Sequence, residues 1–166
     1  LRRLVSAAFT QRAVDRMDRQ IADVVDQFID PLRGRSGVID MMAAVADPVP
    51  GTVISRVTGI PAFEDDEARF RKLAQRVVRG SVPFASHRSK RRVRGALLEL
   101  SDWIRTLVVE RTAEPREDLI SDLVHAQDEG DRMTESEVVM LVAGIISAGG
   151  ETTSMAVFVT ITELLR

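Results

Sequence analysis

Between Val138 and Thr162 one charged residue, Glu151, interrupts an apolar run, and it sits in the hexapeptide Ala148-Gly149-Gly150-Glu151-Thr152-Thr153. An ordinary core helix avoids such a sequence. Two glycines cost about 1 kcal/mol each relative to alanine, and threonine is a weak helix former. An unpartnered buried carboxylate costs several kcal/mol more. So many local violations in one place point to a function that compensates for them. The residue types suit a groove with proton chemistry. Ala148, Gly149 and Gly150 let a flat or diatomic ligand approach the backbone. The Thr152 hydroxyl both donates and accepts, and the Glu151 carboxyl can shuttle protons. Two other readings use the same residues: a kinked helix with Glu151 paired to an arginine, and a transmembrane helix with a functional acid. Five hydroxyl residues between Thr152 and Thr162 make poor neighbours for lipid.

Other chemistries are excluded by composition. The 166 residues contain no cysteine, hence no disulfide, no thiolate nucleophile and no sulfur-ligated zinc or iron–sulfur cluster. The two histidines, His87 and His125, lie too far apart in sequence to suggest a metal site built from protein ligands alone. With 23 basic and 25 acidic side chains the net charge is −2, against a nucleic-acid partner. Arg88-Ser89-Lys90-Arg91-Arg92-Val93-Arg94 reads as a solvated basic face, since no aromatics are interleaved. Only Lys72 and Lys90 among the basic residues are lysine, a bias that coding composition explains.

The elements that position the hexapeptide read as helices throughout, with no period-2 strand run. Val14, Met17, Ile21, Val24 and Phe28 form one apolar stripe on a helix ending near Pro31-Leu32-Arg33-Gly34. A short helix from Val38 to Ala46 is separated by Asp47-Pro48-Val49-Pro50 from a second, about Gly51 to Thr58, which stops at Gly59-Ile60-Pro61. An acid-led helix follows from Glu64 to Gly80, its acids suited to a helix N-terminus. Arg88 to Thr112 is a long helix with Val93, Leu97, Leu100, Ile104 and Leu107 or Val108 inward, and Glu117 to Gln127 is a short one closed by Gly130. Thr134-Glu135-Ser136-Glu137 has capping-box spacing and opens a helix that, if it runs to Leu165, is about 45 Å long at about 1.5 Å per residue. The chain opens Leu1-Arg2-Arg3 and closes Leu164-Leu165-Arg166, both of which read as cuts through helices.

The hexapeptide resembles the central-helix signature of the cytochrome P-450 monooxygenases: alanine or glycine, glycine, any residue, acid, threonine, threonine or serine. Leu1-Arg2-Arg3-Leu4-Val5-Ser6-Ala7-Ala8-Phe9-Thr10 resembles the haem-flanking helix of soluble bacterial members, and the stretch from Asp47-Pro48-Val49-Pro50 to Gly59-Ile60-Pro61 their next helical segment. The likeness covers essentially all 166 positions in order. It implies a mainly α chain, one partial domain over 1–166 forming the all-helical middle of the P-450 fold around a long central helix at about 134–165. It implies haem as cofactor, dioxygen and a small organic substrate as reactants, a ferredoxin or flavoprotein as electron donor, and a cytoplasmic location with neither nucleic acid nor membrane as partner.

The same resemblance assigns roles by position. Arg2 would bond a haem propionate, for which its planar fork is suited. Ala148 and Gly149 would lie over the haem face, and Glu151 and Thr152 would be the acid and alcohol that relay protons during oxygen activation. Gly144 and Ser147, one turn earlier, would line the substrate pocket, with Phe84 in its lid. The family's axial cysteine, which favours O–O cleavage, is absent here, so these residues alone are expected to be inactive. Glu163-Leu164-Leu165-Arg166 and Glu129-Gly130-Asp131-Arg132 mimic the family's downstream Glu-x-x-Arg, but one lies in the tail of the central helix and the other in a turn. A non-catalytic helical remnant or binding module without haem is the competing expectation.

Overall fold

A computed structural model describes residues 2–60, 69, 70, 73, 76, 87–128 and 130–166. Six α-helices appear among them: α1 (Arg2–Ala8), α2 (Gln11–Ile29), α3 (Pro48–Thr58), α4 (His87–Ala113), α5 (Leu119–His125) and α6 (Glu135–Leu164). A 3-10 turn at Asp30–Leu32 ends α2, and a π-helical turn at Met42–Ala46 precedes α3. The all-helical class read from the sequence holds. One small hairpin departs from it: β1 (Gln127–Asp128) pairs antiparallel with β2 (Asp131–Arg132) around Gly130, at φ 91°. Two-residue strands fall below any period-2 signal. Gly130 occupies the left-handed region that the turn needs.

α6 is the strut of the molecule. Thr134 caps it with a capping box: its hydroxyl accepts from the Glu137 amide at 3.3 Å, and its own amide donates to Glu137 Oε2 at 2.8 Å. The first half of α6 buries Val138, Val142 and Ile146 against Leu100, Ile104 and Leu107 of α4 and Leu119, Ile120 and Leu123 of α5. Its second half lends Val157 and Ile161 to a separate cluster around Val24 of α2, Val45 and Val49. Length and apolarity alone would let α6 cross a membrane, but its N-terminal half is the centre of the main core.

Residues 38–40, expected in a short helix running to Ala46, are not helical, and three further details differ from the periodicity reading. On α2, Val24 is fully buried while Val14 and Ile21 are 45% and 41% exposed, so only part of the stripe meets a described element. On α4 the inward line runs through Ala96, Leu100, Ile104 and Leu107, and Leu97 turns outward because Ala96 packs with Leu73. Pro48 and Pro50 do not break the chain into two spaced helices. They form the first turn of α3, where a missing N–H removes no helical hydrogen bond. Of the acid-led helix expected over 64–80, Arg69, Phe70, Leu73 and Arg76 are helical, and the rest lies outside the described residues.

A buried ion pair, not legible in the sequence, joins three helix ends. Arg111 at the end of α4 is 1% exposed. Its Nε donates to Asp118 Oδ2 at 2.7 Å and its Nη2 to the Gly59 carbonyl at 3.0 Å. Asp118 also caps α5 by accepting from the Ser121 amide at 2.8 Å. Gly59 closes α3 at φ 80°, and a Cβ there would lie 2.1 Å from Asp118 Oδ2, so both conformation and space demand glycine.

Candidate functional site on the open face of the long helix

Gly144, Ala148 and Thr152 stand four residues apart on α6, and all three are exposed. That spacing puts them on one face. Met140, Met155 and Val159 extend the same open side, at 76%, 53% and 50% exposure. The opposite side carries the buried Val138, Val142 and Ile146. Ser147, half-buried, flanks the open face.

The helix is continuous through the glycine pair, and the two glycines have different surroundings. A Cβ on Gly149 would come 2.9 Å from Ile54 Cδ1, so this residue allows α3 to approach closely. Cβ atoms on Gly144 and Gly150 would meet no atom within 4 Å, so packing among the described residues does not require glycine at either position. Gly149, expected over a ligand face with Ala148, is turned toward α3, whereas Ala148 is on the open side.

Hydroxyl groups cluster here and bond back along the helix. Ser147 donates to the Ala143 carbonyl at 2.8 Å, Thr152 to Ala148 at 2.6 Å and Ser154 to Gly150 at 3.0 Å. Such bonds give a carbonyl a second donor and favour local bending. They also settle what Thr152 offers. Its proton is committed to Ala148, and its oxygen keeps lone pairs free to accept from a group on the open face. Glu151 is helical one residue earlier, and its side chain lies outside the described part of the structure, as does the whole of Phe84.

Arg2 is carried by α1, which packs mainly on α5 and β1, a different part of the molecule from the glycine segment. Its side chain is exposed and forms no ion pair among the described residues, so the fork is available to an external carboxylate. Sequence reasoning missed Ile54, because nothing in Thr52-Val53-Ile54-Ser55 marks it as the partner of a distant glycine. Asp118 had a signal, an acid three residues before Ser121 at a helix start.

These features fit the haem group that the resemblance implies, on one side only. The open face is poor in side chains at Gly144 and Ala148 and has room for a flat ring, and the exposed Arg2 fork can meet an acidic group. The donor set holds no thiolate, since the chain has no cysteine.

Comparison with known proteins reaches the same family. The cytochrome P450 family description matches residues 1–166. The polyketide biosynthesis cytochrome P450 PksS of Bacillus subtilis is 33% identical over 153 residues, covering 92% of this chain and 36% of the relative. The ligand-free structure of cytochrome P450 TbtJ1 superposes with a TM-score of 0.81 at 33% identity, covering 92% of this chain and 39% of that one. CYP109E1 of Bacillus megaterium, solved with testosterone, gives a TM-score of 0.79 at 26% identity, over 92% of this chain and 40% of its own. The chain thus spans well under half the length of these relatives, and across that span it belongs to the cytochrome P450 family.

Proposed function

We propose that this chain forms the oxygen-facing wall and part of the substrate pocket of a haem-dependent monooxygenase that hydroxylates a small organic molecule. The observation that carries the reading is the alignment of Gly144, Ala148 and Thr152 on one open face of α6, with the Thr152 oxygen free to accept. Haem, held by a cysteine thiolate supplied from outside these 166 residues, brings the reductive activation of dioxygen. Arg2 holds a propionate by a charge-assisted bond. Ala148 keeps the face clear, and Gly149 sets the depth at which α6 lies against α3.

Thr152 fixes a hydrogen-bond acceptor at Oγ1, and Glu151 delivers protons to that position from solvent. Gly144 and Ser147 shape the substrate side of the pocket, and Phe84 forms part of its lid. The steroid in the CYP109E1 structure supports a pocket for a compact apolar molecule in this fold. Electrons come from a ferredoxin or flavoprotein, and the protein works in the cytoplasm. In the full-length enzyme, Thr152→Ala is expected to keep electron consumption while diverting it to hydrogen peroxide. Unchanged product yield per electron pair would remove Thr152 from the relay.

The competing reading is a non-catalytic helical binding module without haem. Haem incorporation by the full-length protein, with a thiolate-type spectrum, decides against it.

A further inference from the structure

Among the described residues of α6 beyond Ile146, the one buried side chain is that of Ser154, a hydroxyl. Three residues on, Val157 packs into the apolar cluster around Val24, Val45 and Val49. Alanine would suit such a place better, with higher helix propensity and no polar atom to desolvate. The Ser154 hydroxyl is compensated by its bond to the Gly150 carbonyl at 3.0 Å. Packing does not account for Gly150 either, since a Cβ there would meet no atom within 4 Å. Two residues that break helix rules, one turn apart, are thus joined by one hydrogen bond.

That bond acts on the segment that carries the acid and the alcohol. The Gly150 carbonyl belongs to the peptide leading into Glu151, and Thr152 follows. Thr152 itself donates to the Ala148 carbonyl at 2.6 Å. Two residues along an α-helix turn by about 200°, so the Ala148 and Gly150 carbonyls emerge on opposite sides of α6. A side-chain donor draws its carbonyl outward and bends the helix convex on that side. Alone, the Thr152 bond would bow α6 toward the open face. The Ser154 bond pulls the other way half a turn later, and the helix runs through both glycines without a break. Burial makes the Ser154 bond the firmer of the two, because water has little access to compete for the hydroxyl.

We propose that Ser154 is a positioning residue for the proton relay. Its buried bond holds the Gly150–Glu151 peptide and offsets the bow that Thr152 imposes, which keeps the Thr152 oxygen at a fixed height on the open face. The role rests on the monooxygenase reading. Loss of the hydroxyl leaves no buried group unpaired, since the Gly150 carbonyl keeps its helical amide partner. A serine with no role beyond the fold would therefore give way to alanine without effect on coupling.

The test compares the full-length haem protein with its Ser154→Ala, Thr152→Ala and double variants. Ser154→Ala is expected to melt no lower than the parent and to keep its substrate KM and total electron consumption. The share of electrons lost as hydrogen peroxide should rise about two- to tenfold, the factor that the net worth of one hydrogen bond makes in a rate. Amide hydrogen exchange, measured without turnover, should quicken over residues 148–156 of α6 and stay unchanged over 135–146. In the Thr152→Ala background the Ser154 change should add no further peroxide, because it acts through Thr152. Parent-like coupling or parent-like exchange in Ser154→Ala, beside an uncoupled Thr152→Ala, overturns this role alone, as does an equal further loss in the double variant. Parent-like coupling in Thr152→Ala overturns the relay and this role with it.

Discussion

At Gly149 two opposing effects of similar size meet. Alanine there would gain about 1 kcal/mol of helix propensity. Its Cβ would also come 2.9 Å from Ile54 Cδ1 and push that side chain off its rotamer, at a cost of about 0.5–1.5 kcal/mol. Gly149→Ala is therefore expected to be nearly neutral in the parent protein and stabilising by about 1 kcal/mol in an Ile54→Val background, where the crowding methyl is gone. A double-mutant cycle on denaturation midpoints checks this. Equal effects in both backgrounds would mean that Ile54 does not set the requirement for glycine. The hexapeptide was legible in the sequence because its residue types break helix rules. Which glycine faces a neighbour and which faces open space was not, because that depends on the rotation of α6 against α3.

Among the elements, the helix ends carry the most specific chemistry. Arg111 is buried with Asp118 and the Gly59 carbonyl, so removing Asp118 leaves its charge only the half-exposed Glu110 carboxylate at 3.2 Å. Asp118→Ala is expected to cost about 3–5 kcal/mol, and Arg111→Met combined with Asp118→Ala less than the sum of the single changes; urea titration of all three variants decides it. Strict additivity would show that the ion pair is not coupled.

The capping box gives a prediction in pH. The Thr134 amide, and then its hydroxyl, hold the Glu137 carboxyl below the ordinary glutamate range. A carboxylate whose pKa is lowered on folding stabilises the fold above its unfolded pKa and loses that contribution as pH falls through the folded value. The stability advantage of the parent over Glu137→Gln should thus be full at neutral pH, shrink below the ordinary glutamate range and vanish at more acidic pH. An advantage independent of pH would assign the box no ionised acid. This cap was readable from Thr134-Glu135-Ser136-Glu137, since a local bond needs only local spacing. The phase of α4 was not, because Leu97 and Ala96 compete for the same inward place and Leu73, distant in sequence, selects the smaller residue.

For the molecule as a whole, the helical class was legible because long apolar periodicities and firm stops leave few alternatives. Which positions of the α2 stripe are covered was not, because an amphipathic stripe does not say which element each of its residues meets. The absence of cysteine bears on chemistry at this scale. The 166-residue chain supplied with haem and reductant is expected to give no thiolate-type carbon monoxide difference band; a clear band would refute the need for a sulfur ligand from elsewhere.

The placement of α6 in two separate cores has a mechanical consequence. Val138, Val142 and Ile146 anchor it in one cluster, Val157 and Ile161 in the other. Gly149 and Gly150 lie between the anchorages, where the backbone is least stiffened by side chains and where hydroxyl groups already draw on the helix carbonyls. A beam clamped at both ends and thinned in the middle concentrates its bending at the thin section. Any relative shear of the two cores is thereby delivered to the turn that carries Thr152, so that a load applied far away on α2 or α4 is felt first at the open face.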